Sequence, residues 1–246
     1  MTKTKKIEAA FTLIELLVVI TIIAILASFA LPAYTTVQTR ANQTKDLSNG
    51  KQIGLALKQF ASDHNGYYPS KIPSTDYETA TDLTAANVSN DAFWWLFPNY
   101  LQSEDIFTVP GSAWTPNPAD NVLDDATSPN RTETLEGTGG GSGGTANPEC
   151  SYAYVVNLTD TSNPAWPLVA DGFTTAGTLS YDSNKSNKGG VWEGKKAIVI
   201  FCDASGQIMK CDATTLTVKR PDGTNLFATG NPNWLDTTNF TLIPAP

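Results

Sequence analysis

From Phe11 to Ala33 the chain reads FTLIELLVVITIIAILASFALPA, apolar on every helical face and interrupted by one carboxylate, Glu15. A hydrocarbon core takes about 20 residues of helix, so this run predicts a membrane-length helix. Beyond Pro32 the pattern changes. Val37, Ala41, Ile53, Leu57 and Phe60 recur at roughly helical spacing with polar residues between them. Proline removes one backbone donor and kinks a helix without having to end it, so one helix with a kink at Pro32 is predicted. Its second half is amphipathic and should lie on a globular head. Gly50 and Gly54 weaken it locally. Asp63-His64-Asn65-Gly66 stops it, because Asn and Gly accept the left-handed conformation of a helix C-terminus.

The remaining pattern is short-range. Residues Tyr77 to Asn147 are irregular, with one apolar knot at Ala92-Phe93-Trp94-Trp95-Leu96-Phe97. The knot should dock on the head; an exposed binding patch is the sharper alternative. Gly137 to Gly144 reads as a loop or linker. A phosphate cradle would need a following Gly-Lys-Ser/Thr, which is missing. Ser151–Val156 and Trp166–Ala170 are candidate strands. Ala197–Phe201 and Gln207–Met209 flank Asp203-Ala204-Ser205-Gly206, which predicts a hairpin. The expected class is α+β: a long helix, half membrane-embedded and half amphipathic, on a small antiparallel sheet with long loops.

Met1 to Ala10 reads MTKTKKIEAA, short, basic and polar. An ordinary signal peptide or signal anchor is the first alternative. Against it, the small residue Ala10 precedes the apolar core, and no A-x-A-like site follows it. Glu15 also costs about 2.5–3.5 kcal/mol at the centre of a membrane helix, so a partner and a purpose are expected for it. Lysines at 3, 5 and 6 favour a cytoplasmic N-terminus with the rest outside.

Composition narrows the chemistry. The formal net charge is −8, which disfavours nucleic acid as a main partner. The single histidine, His64, sits at a helix end, so a Ser-His-Asp or Cys-His site has little to draw on. No enzyme activity is expected. Cys150, Cys202 and Cys211 form no C-x-x-C pair. An oxidising compartment would permit one disulfide, joining Cys150 to Cys202 or Cys211, or Cys202 to Cys211, and leave one thiol over.

Ala10-Phe11-Thr12-Leu13-Ile14-Glu15 resembles the prepilin processing motif of type IV pilins and type II secretion pseudopilins. The resemblance implies a leader of residues 1–10, cleavage between Ala10 and Phe11 by a prepilin peptidase, and N-methylation of Phe11 by the same enzyme. The family usually has Gly where this chain has Ala10. Residues 11–33 would form the transmembrane and polymerisation helix, with a helix-loosening proline at Pro32. Residues 34–246 would carry the second half of the helix and a periplasmic or extracellular head. Glu15 would pair with the Phe11 ammonium of a neighbour and set the filament's register, while the bland alternative has Glu15 reaching to the headgroups. Ala56–Phe60 with Gly66-Tyr67-Tyr68-Pro69 resembles the helix end and turn of major pseudopilins. Pro167–Gly172 with Ile198–Asp203 resembles the C-terminal sheet of pilin-like proteins from planctomycete- and verrucomicrobium-type bacteria, without their His and with Ala204 in place of Gly. Expected partners are further copies, other pilin-like subunits, the peptidase and an inner-membrane assembly platform. The location implied is the bacterial inner membrane, single pass, then the filament. The alternative function is a minor pilin acting as a surface-binding or adhesin module. No cofactor is expected, apart from a candidate calcium ion suggested by the pseudopilins. Asp171, Asp182, Asp203 and Asp212 are its candidate ligands; turn aspartates are equally common without metal.

Overall fold

A computed structural model describes residues 12–70, 89–112, 121, 123, 135, 150–174, 179–228 and 241–243. The leader, Ala10 and Phe11 lie outside the described residues. So does the glycine run.

One helix, α1, runs from Leu13 to Asp63, with Pro32 inside it. Pro32 cannot donate to the preceding turn, yet the helix continues. The Pro32 carbonyl accepts from the hydroxyls of both Thr35 and Thr36, each at 3.0 Å. The C-terminus follows the sequence expectation. Asn65 takes φ 55° and Gly66 φ 84°, and the Gly66 N–H closes back on the Ala61 carbonyl at 2.7 Å. That six-to-one bond satisfies a carbonyl the helix would otherwise leave open.

The chain divides into two compact units, one ending at Ala41 and the other beginning at Asn42. The described part of the first is Thr12 and the helix that follows it, and its large apolar residues from Leu13 to Val37 are exposed. The second unit holds the rest of α1, a short helix α2 (Ser89–Phe93), 3₁₀ turns at Trp94–Leu96 and Glu104–Phe107, and five strands. These are β1 (Tyr152–Val156), β2 (Pro167–Asp171), β3 (Lys196–Phe201), β4 (Gly206–Lys210) and β5 (Thr241–Ile243). They form one antiparallel sheet in the order β4-β3-β2-β1-β5. The fold is α+β, with the second half of α1 packed on a small antiparallel sheet.

β1 and β2 are buried throughout, and β3 is buried after its first residue, because both faces of the sheet are covered. On one face lie Ile53, Leu57 and Phe60 of α1 with Tyr152, Tyr154, Ile198 and Ile200. On the other lie Phe173, Tyr181, Val218 and Phe227 over Ala153, Ala170 and Val199. Each fully buried Ile, Leu or Phe contributes roughly 1.5–3 kcal/mol.

Gly50 and Gly54 owe their place to this packing. A Cβ at either would sit 2.9 Å from the Ile200 side chain, so α1 lies against β3 closer than alanine permits. Helix propensity is given up for close approach.

The aromatic knot docks inside and is not a surface patch. Phe93 and Leu96 are fully buried, and Trp94 and Phe97 nearly so. The Phe93 ring lies 5.1 Å from those of Phe107 and Tyr154. Farther along, Leu135 is buried, with its N–H on Glu104 Oε1 at 2.5 Å and its carbonyl on Asn90 Nδ2 at 2.7 Å.

The cysteines are all free and buried in this structure, where the sequence would permit one disulfide at most. The sheet keeps them apart. Cys202 belongs to the core on the α1 face and Cys211 to the core on the opposite face. Cys150 precedes β1 and Cys202 follows β3; these strands run parallel through β2, so the two thiols fall at opposite ends of the sheet. Burial pushes each thiol up to about 12, and thiolate chemistry is suppressed accordingly.

Candidate functional site

Two polar constellations stand out on α1, one at its start and one at the start of its second half. At the start, Thr12 precedes the helix. The Thr12 N–H and hydroxyl both donate to Glu15 Oε2 at 2.8 Å. The Glu15 N–H returns a bond to Thr12 Oγ1 at 3.3 Å. This reciprocal exchange is a capping box, in which the residue before the helix and the third helical residue satisfy each other's open donors. Glu15 therefore has a partner within its own chain. Its acid charge also lies in the first helical turn, where the helix dipole favours an anion.

Both Thr12 donors use one oxygen. Glu15 Oε1 receives no hydrogen bond among the described residues. Its sequence neighbours Leu13, Ile14, Leu16 and Leu17 are exposed apolar residues. α1 is long and apolar enough to cross a membrane.

The second constellation was not foreseen from sequence. Asp46 of α1 and Asp171 at the end of β2 are both 0 % exposed. Tyr152 sits opposite Asp171 in the sheet register and donates its hydroxyl to Asp46 Oδ1 at 2.5 Å. The Trp192 indole N–H lies between the two acids, 3.2 Å from Asp46 Oδ2 and 3.0 Å from Asp171 Oδ2. The Ile198 N–H also donates to Asp171 Oδ2, at 2.8 Å. Every donor is neutral, and no cation pairs with either acid among the described residues. Burial pushes Asp46 up to about 6 against the pull of its donors. Burial and then the Asp46 charge hold Asp171 well above the usual carboxylate range.

The four aspartates considered as calcium ligands do not gather. Asp171 is the buried acid just described. Asp182 binds the Asn184 N–H and the Asn187 amide. Asp203 binds the Ser205 N–H inside the hairpin turn. Asp212 caps Thr214 and Thr215 and pairs with Lys219 at 2.8 Å. Among the described residues no three acidic, histidine or cysteine side chains come together. His64 stacks on Phe60 with centroids 3.8 Å apart, and its Nδ1 meets the Phe60 carbonyl at 2.8 Å.

Comparison with known proteins places the likeness at the first constellation. Residues 5–31 match the prokaryotic N-terminal methylation motif. The chain is 33% identical over 84 residues to a fimbrial protein of Neisseria meningitidis, covering 34% of this chain and 49% of that one. It is 32% identical over 89 residues to a type IV major fimbrial protein of Dichelobacter nodosus, covering 33% and 57%. It is 42% identical over 57 residues to a type IV major pilin of Myxococcus xanthus, covering 23% and 26%. The chain thus spans about half the length, or less, of these relatives. No solved structure matches it.

Proposed function

We infer from its methylation motif, capped apolar helix and α+β head that the chain is type IV pilin-like. We propose that it is a structural subunit of a type IV pilus-like filament or a type II secretion pseudopilus, with no reaction of its own. A prepilin peptidase would cut between Ala10 and Phe11 and methylate Phe11. The N-terminus would lie in the cytoplasm and the head in the periplasm, and the subunit would leave the inner membrane for the filament through an assembly platform. The observation that carries this reading is the Thr12–Glu15 box at the head of a helix that leaves its own apolar surface exposed. A helix apolar all round needs an apolar surround, either lipid or neighbouring helices. The box holds Glu15 in place while Oε1 stays open to the Phe11 ammonium of another copy. Cap and register pair are therefore compatible on one carboxylate. The adhesin alternative drew on an exposed aromatic segment, whereas Phe93, Trp94, Leu96 and Phe97 are buried and Trp95 is half-buried.

The test compares filament yield with membrane-extracted subunit for wild type, Glu15→Gln and Glu15→Ala in the native host. Glu15→Ala should leave membrane levels normal and abolish filaments, since breaking a buried charge pair costs about 3–5 kcal/mol at each added subunit. Glu15→Gln should be milder but defective. Mass spectrometry of wild-type filaments should show N-methyl-Phe11. An intact Met1 in filaments, or normal filaments from Glu15→Ala, would overturn the reading.

A further inference from the structure

The first turns of α1 in the head rest on the sheet almost without apolar side chains. The residues they bury are Gln43, Asp46, Asn49 and Gly50, whereas the turns that follow bury Ile53, Leu57 and Phe60. Gln43 accepts from the Lys196 ammonium at 3.1 Å, and Asn49 reaches the Thr108 carbonyl at 3.4 Å. The central contact is Asp46 against Asp171, under the Trp192 indole and the Tyr152 hydroxyl.

We propose that Asp46 and Asp171 share one proton at neutral pH and form a latch that holds residues 43–50 of α1 on the sheet, and that loss of this proton opens it. Two carboxylates converge on a single N–H in a site closed to water. Two adjacent buried charges without a cation are too costly, so one acid keeps its proton. Asp171 Oδ1 is buried and receives no donor among the described residues, so no hydrogen bond there stabilises a second charge.

The groups facing the pair agree with this. From β1 and its approach come Tyr152 and Cys150, from the α1 face comes Trp192, and from the loops over the other face come Tyr181 and Cys211. All are neutral at neutral pH: burial raises the Tyr152 and Tyr181 hydroxyls well above their usual range, and Cys150 and Cys211 to about 12. From β3 comes the Ile198 N–H, while the Lys196 ammonium is engaged by Gln43. On α1 itself the neighbouring Lys45 is exposed. The half-buried Lys188 acts on Cys150, and among the described residues no cation is aimed at the pair to stabilise a second charge.

The direction of the pH effect follows. Both acids bind protons more tightly in the closed site than in an opened one, where an aspartate titrates near 3.9. The contribution is complete below about pH 4 and is lost as pH rises through the raised values, Asp46 first at about 6 and Asp171 later. Around neutrality one proton is released on opening, so the opening constant should rise about tenfold per pH unit.

Hydrogen exchange on the full-length chain in detergent micelles tests this, corrected for the intrinsic pH dependence of exchange. Residues 43–50 should open separately from and more often than residues 53–61, and that opening should become about tenfold more frequent per pH unit near neutrality. Infrared spectroscopy of the wild type at neutral pH should show a buried protonated carboxyl that Asp171→Asn removes. Asp171→Asn replaces one acid of the pair by a neutral amide, so it should flatten the pH dependence of residues 43–50. A pH-independent opening of these residues in the wild type, or their exchange only together with residues 53–61, would overturn the latch. So would the absence of a protonated carboxyl. These wild-type readouts stand even if the variant does not fold.

Discussion

The two halves of α1 are one continuous helix and obey different rules. From Leu13 to Ala41 every large apolar side chain is exposed, with Leu13 at 87 % and Phe29 at 74 %. From Asn42 to Asp63 the inward face is buried, and it begins with polar and small residues before Ile53, Leu57 and Phe60 appear. The first half is apolar on all sides as far as Ala33 and, among the described residues, has nothing to pack on within its own unit. The second half is fitted to one sheet, closely enough that two glycines are required. Hydrophobicity alone therefore does not say which part of a helix a fold is built on. The polar and small positions do, because only a specific partner explains them.

The largest test of this contrast exchanges the sites of one truncation. Leu57→Ala should lower the head's stability by about 2–5 kcal/mol, since Leu57 is fully buried. Phe29→Ala removes a larger side chain and should change the head's unfolding by no more than about 0.5 kcal/mol. Chemical denaturation of both full-length variants in the same detergent decides. Comparable losses would mean that the exposed half is packed on the head after all.

Gly50 probes the closeness of the second half. In an open helix Gly→Ala gains about 1 kcal/mol. Here the new methyl meets Ile200 Cδ1 and Cγ1 at 2.9 Å, and overpacking costs about 1–3 kcal/mol. Gly50→Ala should therefore destabilise the head. Ile200→Val removes the Cδ1 contact and keeps Cγ1, so it should lessen the cost of the same change without abolishing it. A double-mutant cycle by thermal unfolding reads the coupling; additive effects would show that the helix simply shifts outward.

Thr12 probes the first half, where only local structure is at stake. Thr12→Ala removes both the hydroxyl that Glu15 accepts from and the oxygen that caps the Glu15 N–H. About 1 kcal/mol of local helix stability should go. Amide exchange at the start of α1 should quicken while the head's unfolding midpoint stays fixed. A shifted midpoint would contradict the separation of the two halves.

Much of this contrast was legible in the sequence. The unbroken apolar run, the Asn65-Gly66 stop, the β1 and β2 strands and the β3–β4 hairpin all follow from local pattern. The capping box was legible too, as Thr-x-x-Glu at Thr12 and Glu15, but the membrane cost of Glu15 drew attention to a partner in another chain. The buried pair was only half visible. Asp46 lies two turns before Ile53 on the same helical face, an acid where the pattern calls for an apolar residue. Asp171 looked like one turn aspartate among several, and nothing local links it to Asp46. Such a pair exists only once the sheet brings distant segments together. The same holds for β5, whose Thr241-Leu242-Ile243 is too short for periodicity to reveal, and for the cysteines, which the two faces and ends of the sheet separate.

The smallest expected effect concerns the partner against which the second half is fitted. Gly54 lies over the β3–β4 turn, where a Cβ would come within 3.7 Å of Ala204 Cα. Ala204 takes φ 62°, a left-handed conformation that an L side chain resists. The turn holds it there: the Ala204 N–H bonds the Phe201 carbonyl at 2.8 Å, and the Phe201 N–H bonds Ser205 at 2.9 Å. The left-handed state costs alanine roughly 1–2 kcal/mol. Glycine removes that cost but loses roughly 0.5–1 kcal/mol through the greater freedom of its unfolded chain. The net gain for Ala204→Gly should be no more than about 1 kcal/mol, seen as a slightly raised unfolding midpoint with an unchanged denaturant slope. If the Ala204 methyl instead helps to seat α1, the balance reverses. Ala204→Gly would then lower the midpoint, and quicker exchange at Gly54 would show that the hairpin's side chain, beyond its backbone, shapes the seat of the helix.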